Sequence, residues 1–435
     1  MYFRAAHIEG MLRHADLDPE LVAPGTVVDG DAPVVDPEER LPRIVVGSVT
    51  ARALYQVWSG RPVTVVDSPP GAGKSTLVRD MVAHLVTRTD IPVVVATFTR
   101  EQARDIAGRI AAVTAPNTVC LALRGLEQRD APSGVVIGST PPRNAGAATA
   151  GLVNHVVVRT VASAAGASAG RDAPTLLIVD EAYQVTFADV LSASAKAEQI
   201  LLVGDPGQIG PVTTSNPAMW QGRPDAPHLR APEVFARRDD AMVLHLDASY
   251  RLGPDTVAAI APLYDFTFAS ARPHTTLAGH REIESLLVPV TGDPNDPGML
   301  ATVADRAHTL IGTELTGPDG TRALEPADVA VVVSHNAQAS VVHALLRGRD
   351  VDGVTVGTAD SLQGGQWAAV VALDPLTGVE GLPAHAMSPG RLCVMASRHY
   401  AHLTWVHDGA WRKVIDPRDC ADGEQLSVVR AALTS

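Results

Sequence analysis

The stretch VVDSPPGAGKST, residues 65 to 76, constrains this chain more than any other. Val63, Val65 and Val66 form a short β-type apolar run ending at Asp67, and Leu77 to Leu85 is patterned as a helix, so a glycine-rich turn is predicted between strand and helix. A turn of that kind binds phosphate. Gly71 and Gly73 can take positive φ and let backbone N–H groups approach an anion, while the start of the following helix favours negative charge. Lys74 would reach the β- and γ-phosphates and Ser75 would ligate Mg²⁺ through its hydroxyl, with Pro70, Gly71, Ala72, Gly73 and Thr76 completing the cradle. The pattern G-x-x-x-x-G-K-[ST] opens on a glycine, and Ser68 stands in its place here. Pro69 and Pro70 restrict the backbone at that point, so the loop is expected to work with serine.

Length and charge narrow the class. A chain of 435 residues is long for one compact domain and suits two of about 200 residues each. No apolar run reaches the length of a membrane helix, and the N-terminal MYFRAAHIEGMLRHADLDPE carries charges where a signal peptide would have an apolar core. A cytoplasmic protein with no membrane partner is the expectation. Cys120, Cys393 and Cys420 are scattered, which points to neither a disulfide framework nor a zinc module. The net charge of −13 argues against a broad basic coat, yet nucleic acid can still be held by a local patch.

Strand-like runs recur at 93–96, 156–159, 176–179, 200–203, 243–246, 329–333, 354–356 and 369–373, most of them continuously apolar. Separated by helical patterns such as 100–112 and 337–346, they predict α/β architecture with parallel sheets covered on both faces. Residues 20–43, 125–150, 214–232 and 290–298 read as irregular, and ASAAGASAG (162–170) as a loop. A boundary near 247 divides the chain into comparable halves.

Two further strand ends carry chemistry. LLIVDEAYQV (176–185) puts Asp180 and Glu181 at the carboxyl edge of a sheet, where ligands of parallel sheets collect. Asp180 would hold Mg²⁺, and Glu181 would orient and deprotonate an attacking water. ILLVGDPGQIGPV (200–212) then presents Asp205 and Gln208, the latter an amide able to bond a γ-phosphate.

SPPGAGKST, VDEAYQ and GDPGQIGP, in this order, resemble motifs I, II and III of superfamily 1 helicases, most closely the 5′-to-3′ branch of the nonsense-mediated-decay RNA helicase and its DNA-acting relatives. The second half continues the resemblance. LDASYRLGPDTVAAIAPLYD (246–265) is similar to motif IV, VTVGTADSLQGGQWAAVVAL (354–373) to motif V and SPGRLCVMASRHY (388–400) to motif VI. The resemblance covers most of residues 60–405. It implies two tandem RecA-like domains, 46–247 and 248–435, behind an unassigned N-terminal extension, 1–45. It also implies ATP and Mg²⁺ as cofactors, Tyr250 and Gln363 at the nucleotide, and Glu181, Gln208, Arg251 and Arg398 as the groups of hydrolysis. Arginine suits that last role because its planar fork neutralises phosphoryl oxygens bidentately.

The partner implied is single-stranded DNA or RNA, with a protein partner as a further option and a monomer as the expected state. Thr97, Thr160 and Thr358 match the family's strand-holding positions, although each also reads as a strand-end or helix-cap residue. Phe98 would stack on a base or fill the core, and Trp220 is the better exposed aromatic. Three departures bear on function. Gln366 stands where motif V has glutamate, and Tyr400 where motif VI has its second arginine. Ala51 stands where an upstream glutamine reads adenine, and Gln56 lies about 140° further round the helix, which implies relaxed base choice. Motion along one strand is the expected activity, with an ATP-controlled binding switch of slow turnover as the alternative.

Overall fold

The computed structural model describes residues 41–138, 155–166, 175–212, 216–415 and 422–435. Residues 1–40 of the expected N-terminal extension, parts of the loop-like stretches at 139–154 and 167–174, and Cys420 lie outside that set. The chain forms two compact units. The first runs to Asp67 and resumes over Lys74–Gly204 and Pro211–Leu244, and the second takes Ser68–Gly73, Asp205–Gly210 and His245–Ser435.

In the first unit the apolar runs become strands β1 (Val63–Asp67), β2 (Val93–Thr97), β3 (Val119–Leu121), β4 (Val135–Ile137), β5 (Val156–Thr160), β6 (Leu176–Asp180), β7 (Gln199–Gly204) and β8 (Ala241–His245). They make one sheet in the order β4-β3-β5-β2-β6-β7-β1-β8. The pairings from β4 to β1 are parallel. β1 and β6 are buried along their whole length, as strands covered on both faces must be. After β1 the chain crosses over β7 and β6 to form β2, and the ends of β1, β6 and β7 lie together at the carboxyl edge, where ligands of parallel sheets collect. Parallel register brings several predicted residues to that edge: Asp67 pairs with Gly204, Asp180 with Val203, and Thr97 with Thr160.

The second unit holds β9 (Ile283–Leu287), β10 (Val329–Val333), β11 (Thr355–Thr358), β12 (Trp367–Leu373) and β13 (His399–His407), ordered β9-β13-β12-β10-β11 with every pairing parallel. Both faces are covered. Val329, Val331 and Val333 enter one apolar core while Ala330 and Val332 enter the other, and β12 divides its residues the same way. Together the sheets give an α/β, RecA-like phosphate-loop fold. Among the described residues no helix is long and apolar enough to cross a membrane.

Two elements differ from the sequence reading. Val161–Ala165, which takes in the first four residues of the small-residue stretch, is helical, because the Thr160 hydroxyl accepts the Ser163 N–H and caps the turn. β13, HYAHLTWVH, is buried almost throughout although it carries three histidines. Each histidine finds a partner for at least one ring nitrogen: His399 Nε2 bonds Thr256, His402 bonds Arg281 O and Thr404, and His407 Nε2 bonds Ser285, while Nδ1 of His399 and of His407 is buried without one. His280, Glu284 and His402 converge closely enough to offer three metal-ligand atoms. A guanidinium nitrogen of Arg306 lies 3.3 Å from each of those histidines and bonds Glu284 as well, so the arginine is the cation of that cluster.

Candidate active site

Gly71 and Gly73 take φ of 73° and 89°, the left-handed region that favours glycine, and the helix Lys74–Arg88 starts at once after them. Ser68 is not among the residues of positive φ. It is fully buried with its hydroxyl donating to Pro69 O at 3.0 Å, so the first motif position needs no glycine here. The Ala72 N–H closes the turn onto Pro69 O. Lys74 is buried; Ser75, one residue into the helix, is partly exposed, and Thr76 is exposed.

Lys74 Nζ lies 3.8 Å from Glu181 Oε1. Glu181 itself has φ 55° and ψ 40°, a left-handed conformation that costs a non-glycine residue of order 1 kcal/mol or more. This turn projects the carboxylate just beyond β6, and the Gln184 amide donates to Glu181 Oε2 at 3.4 Å. Asp180, the last residue of the strand, is buried and accepts the Glu181 N–H at 3.0 Å. Burial first, then the charge of Glu181, push the Asp180 carboxyl up to about 7, against the pull of Lys74. A buried carboxylate whose ionised form is this costly, one residue from a second carboxylate, suits a divalent cation. Sequence reasoning missed the brace beneath this edge. The Tyr183 phenol donates to Asp67 Oδ1 at 2.7 Å, tying the turn after β6 to the end of β1 across 116 positions.

In the second unit Asp205 is the hub of the GDPGQIGP turn. Its Oδ1 accepts from the Gly207 N–H and the Tyr264 hydroxyl, and its Oδ2 from Gln208 Nε2 at 2.6 Å. Gln363 donates to Gln208 Oε1 at 3.3 Å, so these two predicted residues meet. The Ser249 hydroxyl donates to Pro70 O and the Tyr250 N–H to Gly71 O, while the Tyr250 ring is 62 % exposed. A Cβ on Gly71 would collide with the Arg251 side chain. Arg251 Nε donates to Gln366 Oε1 at 2.9 Å and its terminal nitrogen to Ser397 O at 3.4 Å. The glutamine at 366 therefore orients this guanidinium without cancelling its charge. Arg398 is 1 % exposed, with bonds to Val394 O, Gly365 O and the Ser397 hydroxyl.

Thr160 and Thr358 accept backbone N–H groups three residues on, as capping threonines do, and Thr97 does not. Thr97 is fully buried and donates to Thr99 O; Thr160 caps its helix; Thr358 exchanges bonds with Ser361. Phe98 is half exposed and not a core residue. Trp220 ends a short 3₁₀ turn with the Arg223 guanidinium 5.1 Å over its ring. Thr97 and Thr160 are direct neighbours in register, whereas Thr358 belongs to the other unit. Upstream, Val49–Trp58 is one helix capped by Ser48, and the Gln56 amide oxygen accepts from Arg61 Nε at 3.2 Å.

Residues 50–231, which contain the phosphate loop and both acidic strand ends, match the family described as "AAA domain". Among curated proteins, this chain is 28 % identical over 242 residues to the human "3'-5' exoribonuclease HELZ2", a match covering 50 % of the chain and 8 % of that protein. The mouse protein of the same name is 26 % identical over 227 residues, 45 % of the chain and 7 % of the relative. The chain thus spans less than a tenth of the length of these relatives. Among solved structures, "The structure of PRRSV helicase" aligns with TM-score 0.44 and 18 % identity over 82 % of this chain and 54 % of that one. An arterivirus nonstructural protein 10 helicase in complex with DNA aligns with TM-score 0.44 and 16 % identity, over 83 % and 64 % of the two chains.

Proposed function

We propose that this chain is an ATPase of the superfamily 1 helicase type, coupling nucleic-acid-stimulated ATP hydrolysis to 5′-to-3′ movement along a single strand of DNA or RNA, using two RecA-like domains, 46–247 and 248–435. The observation that carries the reading is the carboxyl edge of β6, where Glu181, strained into a left-handed turn, lies 3.8 Å from Lys74 and follows a buried Asp180. Strain of that kind is retained where it aims a functional group. Lys74 would bind the phosphates, Glu181 would take the proton of the attacking water, and Gln208 would contact the γ-phosphate. Arg251 and Arg398 would neutralise the charge that develops on the transferring group. Ser75 and Asp180 are the residues to hold Mg²⁺, which when bound adds positive charge beside the β- and γ-phosphates.

The edge of the first unit's sheet supports strand binding: Thr97 and Thr160 lie side by side with the exposed ring of Phe98 adjoining them. Backbone N–H groups at such strand ends would carry phosphates while Phe98 and Trp220 offer stacking faces. A second reading, a binding switch with slow turnover, is favoured by Tyr400, whose ring packs on an apolar core where the family's second motif VI arginine would supply charge. A bead-displacement experiment separates the two. With streptavidin on either end of a biotinylated oligonucleotide, ATP should speed release from the 3′ end, and long duplexes should remain largely unopened. Release from the 5′ end alone would overturn the direction, and ATP-dependent binding with no release from either end would establish the switch.

A further inference from the structure

Tyr264, near the end of the stretch similar to motif IV, joins Gln208 through Asp205 to the helix leading into Arg398. Its hydroxyl lies 2.9 Å from Asp205 Oδ1 and 3.2 Å from the thiol of Cys393, which sits on the helix Pro389–Ala396. Asp205 in turn fixes the Gln208 amide through its other oxygen. The same helix presses on the Gln208 backbone from the other side, since a Cβ on Gly390 would collide with the Gln208 carbonyl. Tyr264 is held rigidly for this. Its ring packs edge-on against Phe266 and Phe268, with centroids 5.5 and 5.1 Å away. Gly207 is what lets the hydroxyl approach, because any Cβ there would overlap the phenol.

We propose that Tyr264 is a positioning residue for ATP hydrolysis: by holding Asp205 it sets the Gln208 amide in register with the helix that leads into Arg398. The proposal rests on Gln208 contacting the γ-phosphate. Buried hydrogen bonds to a charged acceptor matter more than exposed ones, since water cannot replace them and a network fixes its members together.

The test is a mutant cycle of Tyr264→Phe, Gln208→Ala and the double variant, read by kcat, KM for ATP and Tm. Tyr264→Phe keeps the ring and its packing, so its Tm should stay near wild type while kcat falls about tenfold with little change in KM. The double variant should be no slower than Gln208→Ala alone, because both changes break the same path. Slow Gln208→Ala beside normal Tyr264→Phe would overturn the proposal, as would additive losses with a lowered Tm, the mark of a purely structural tyrosine. Normal turnover in Gln208→Ala would overturn the underlying reading of Gln208 instead.

Discussion

Glu181→Gln is expected to bind ATP about as tightly as the wild-type protein and to hydrolyse it on the order of 10³-fold more slowly, the typical contribution of a positioned general base. The substitution is nearly isosteric and leaves the left-handed turn, the β6 strand and Asp180 in place, so binding groups survive. What is lost is basicity at the single position where β6 delivers a carboxylate 3.8 Å from Lys74. Lys74→Ala should behave differently, losing nucleotide affinity as well as turnover, because the ammonium interacts with phosphate in both ground and transition states. Fluorescent-nucleotide titration beside single-turnover hydrolysis reads the two effects apart. Wild-type turnover in Glu181→Gln would remove the base from the mechanism.

Arg251→Ala should lower kcat by about 10³-fold, the scale of an arginine finger, while leaving Tm near wild type. Its Nε partner is the side chain of Gln366, an exposed residue that water can satisfy when the guanidinium is gone. Arg398→Ala should cost stability too. Its guanidinium is buried against the Val394 and Gly365 carbonyls, and each acceptor left unsatisfied costs about 1–3 kcal/mol. The motif alone gives no reason to separate the two arginines; their burial does. Arg398→Lys is the cleaner probe, keeping a cation and most of the packing while losing the planar fork, and it should slow turnover with a smaller change in Tm. If Arg251→Ala lowered Tm and left kcat intact, Arg251 would be a structural partner of Gln366.

How far the sequence could be read depended on where polarity lay. β1, β6 and β10 announce themselves because buried parallel strands are continuous apolar runs broken by Gly, Pro and Asp. β13 escaped notice for the opposite reason, since His399, His402, Thr404 and His407 interrupt the run and only their hydrogen-bond partners explain their burial. β3 and β4, three residues each, are too short for any period to show. At the site, the residue types and order of Lys74, Asp180, Glu181 and Gln208 were legible because phosphate chemistry demands them. The left-handed φ of Glu181 was not, nor were the Tyr183–Asp67 brace and the Tyr264–Asp205 contact, which join residues 116 and 59 positions apart. Ser68 shows the converse: a departure from a motif that the backbone explains, because the position does not use positive φ.

The central claim, an ATPase governed by single-stranded nucleic acid, is tested most directly by steady-state ATP hydrolysis with and without single-stranded DNA or RNA, with Glu181→Gln as the control for contaminating activity. The account expects at least about a tenfold rise in kcat on adding one of the two strands, a lowering of the barrier by about 1.4 kcal/mol, with little response to blunt duplex and a flat Glu181→Gln baseline. Hydrolysis that is abolished by Glu181→Gln yet indifferent to every single strand would contradict it.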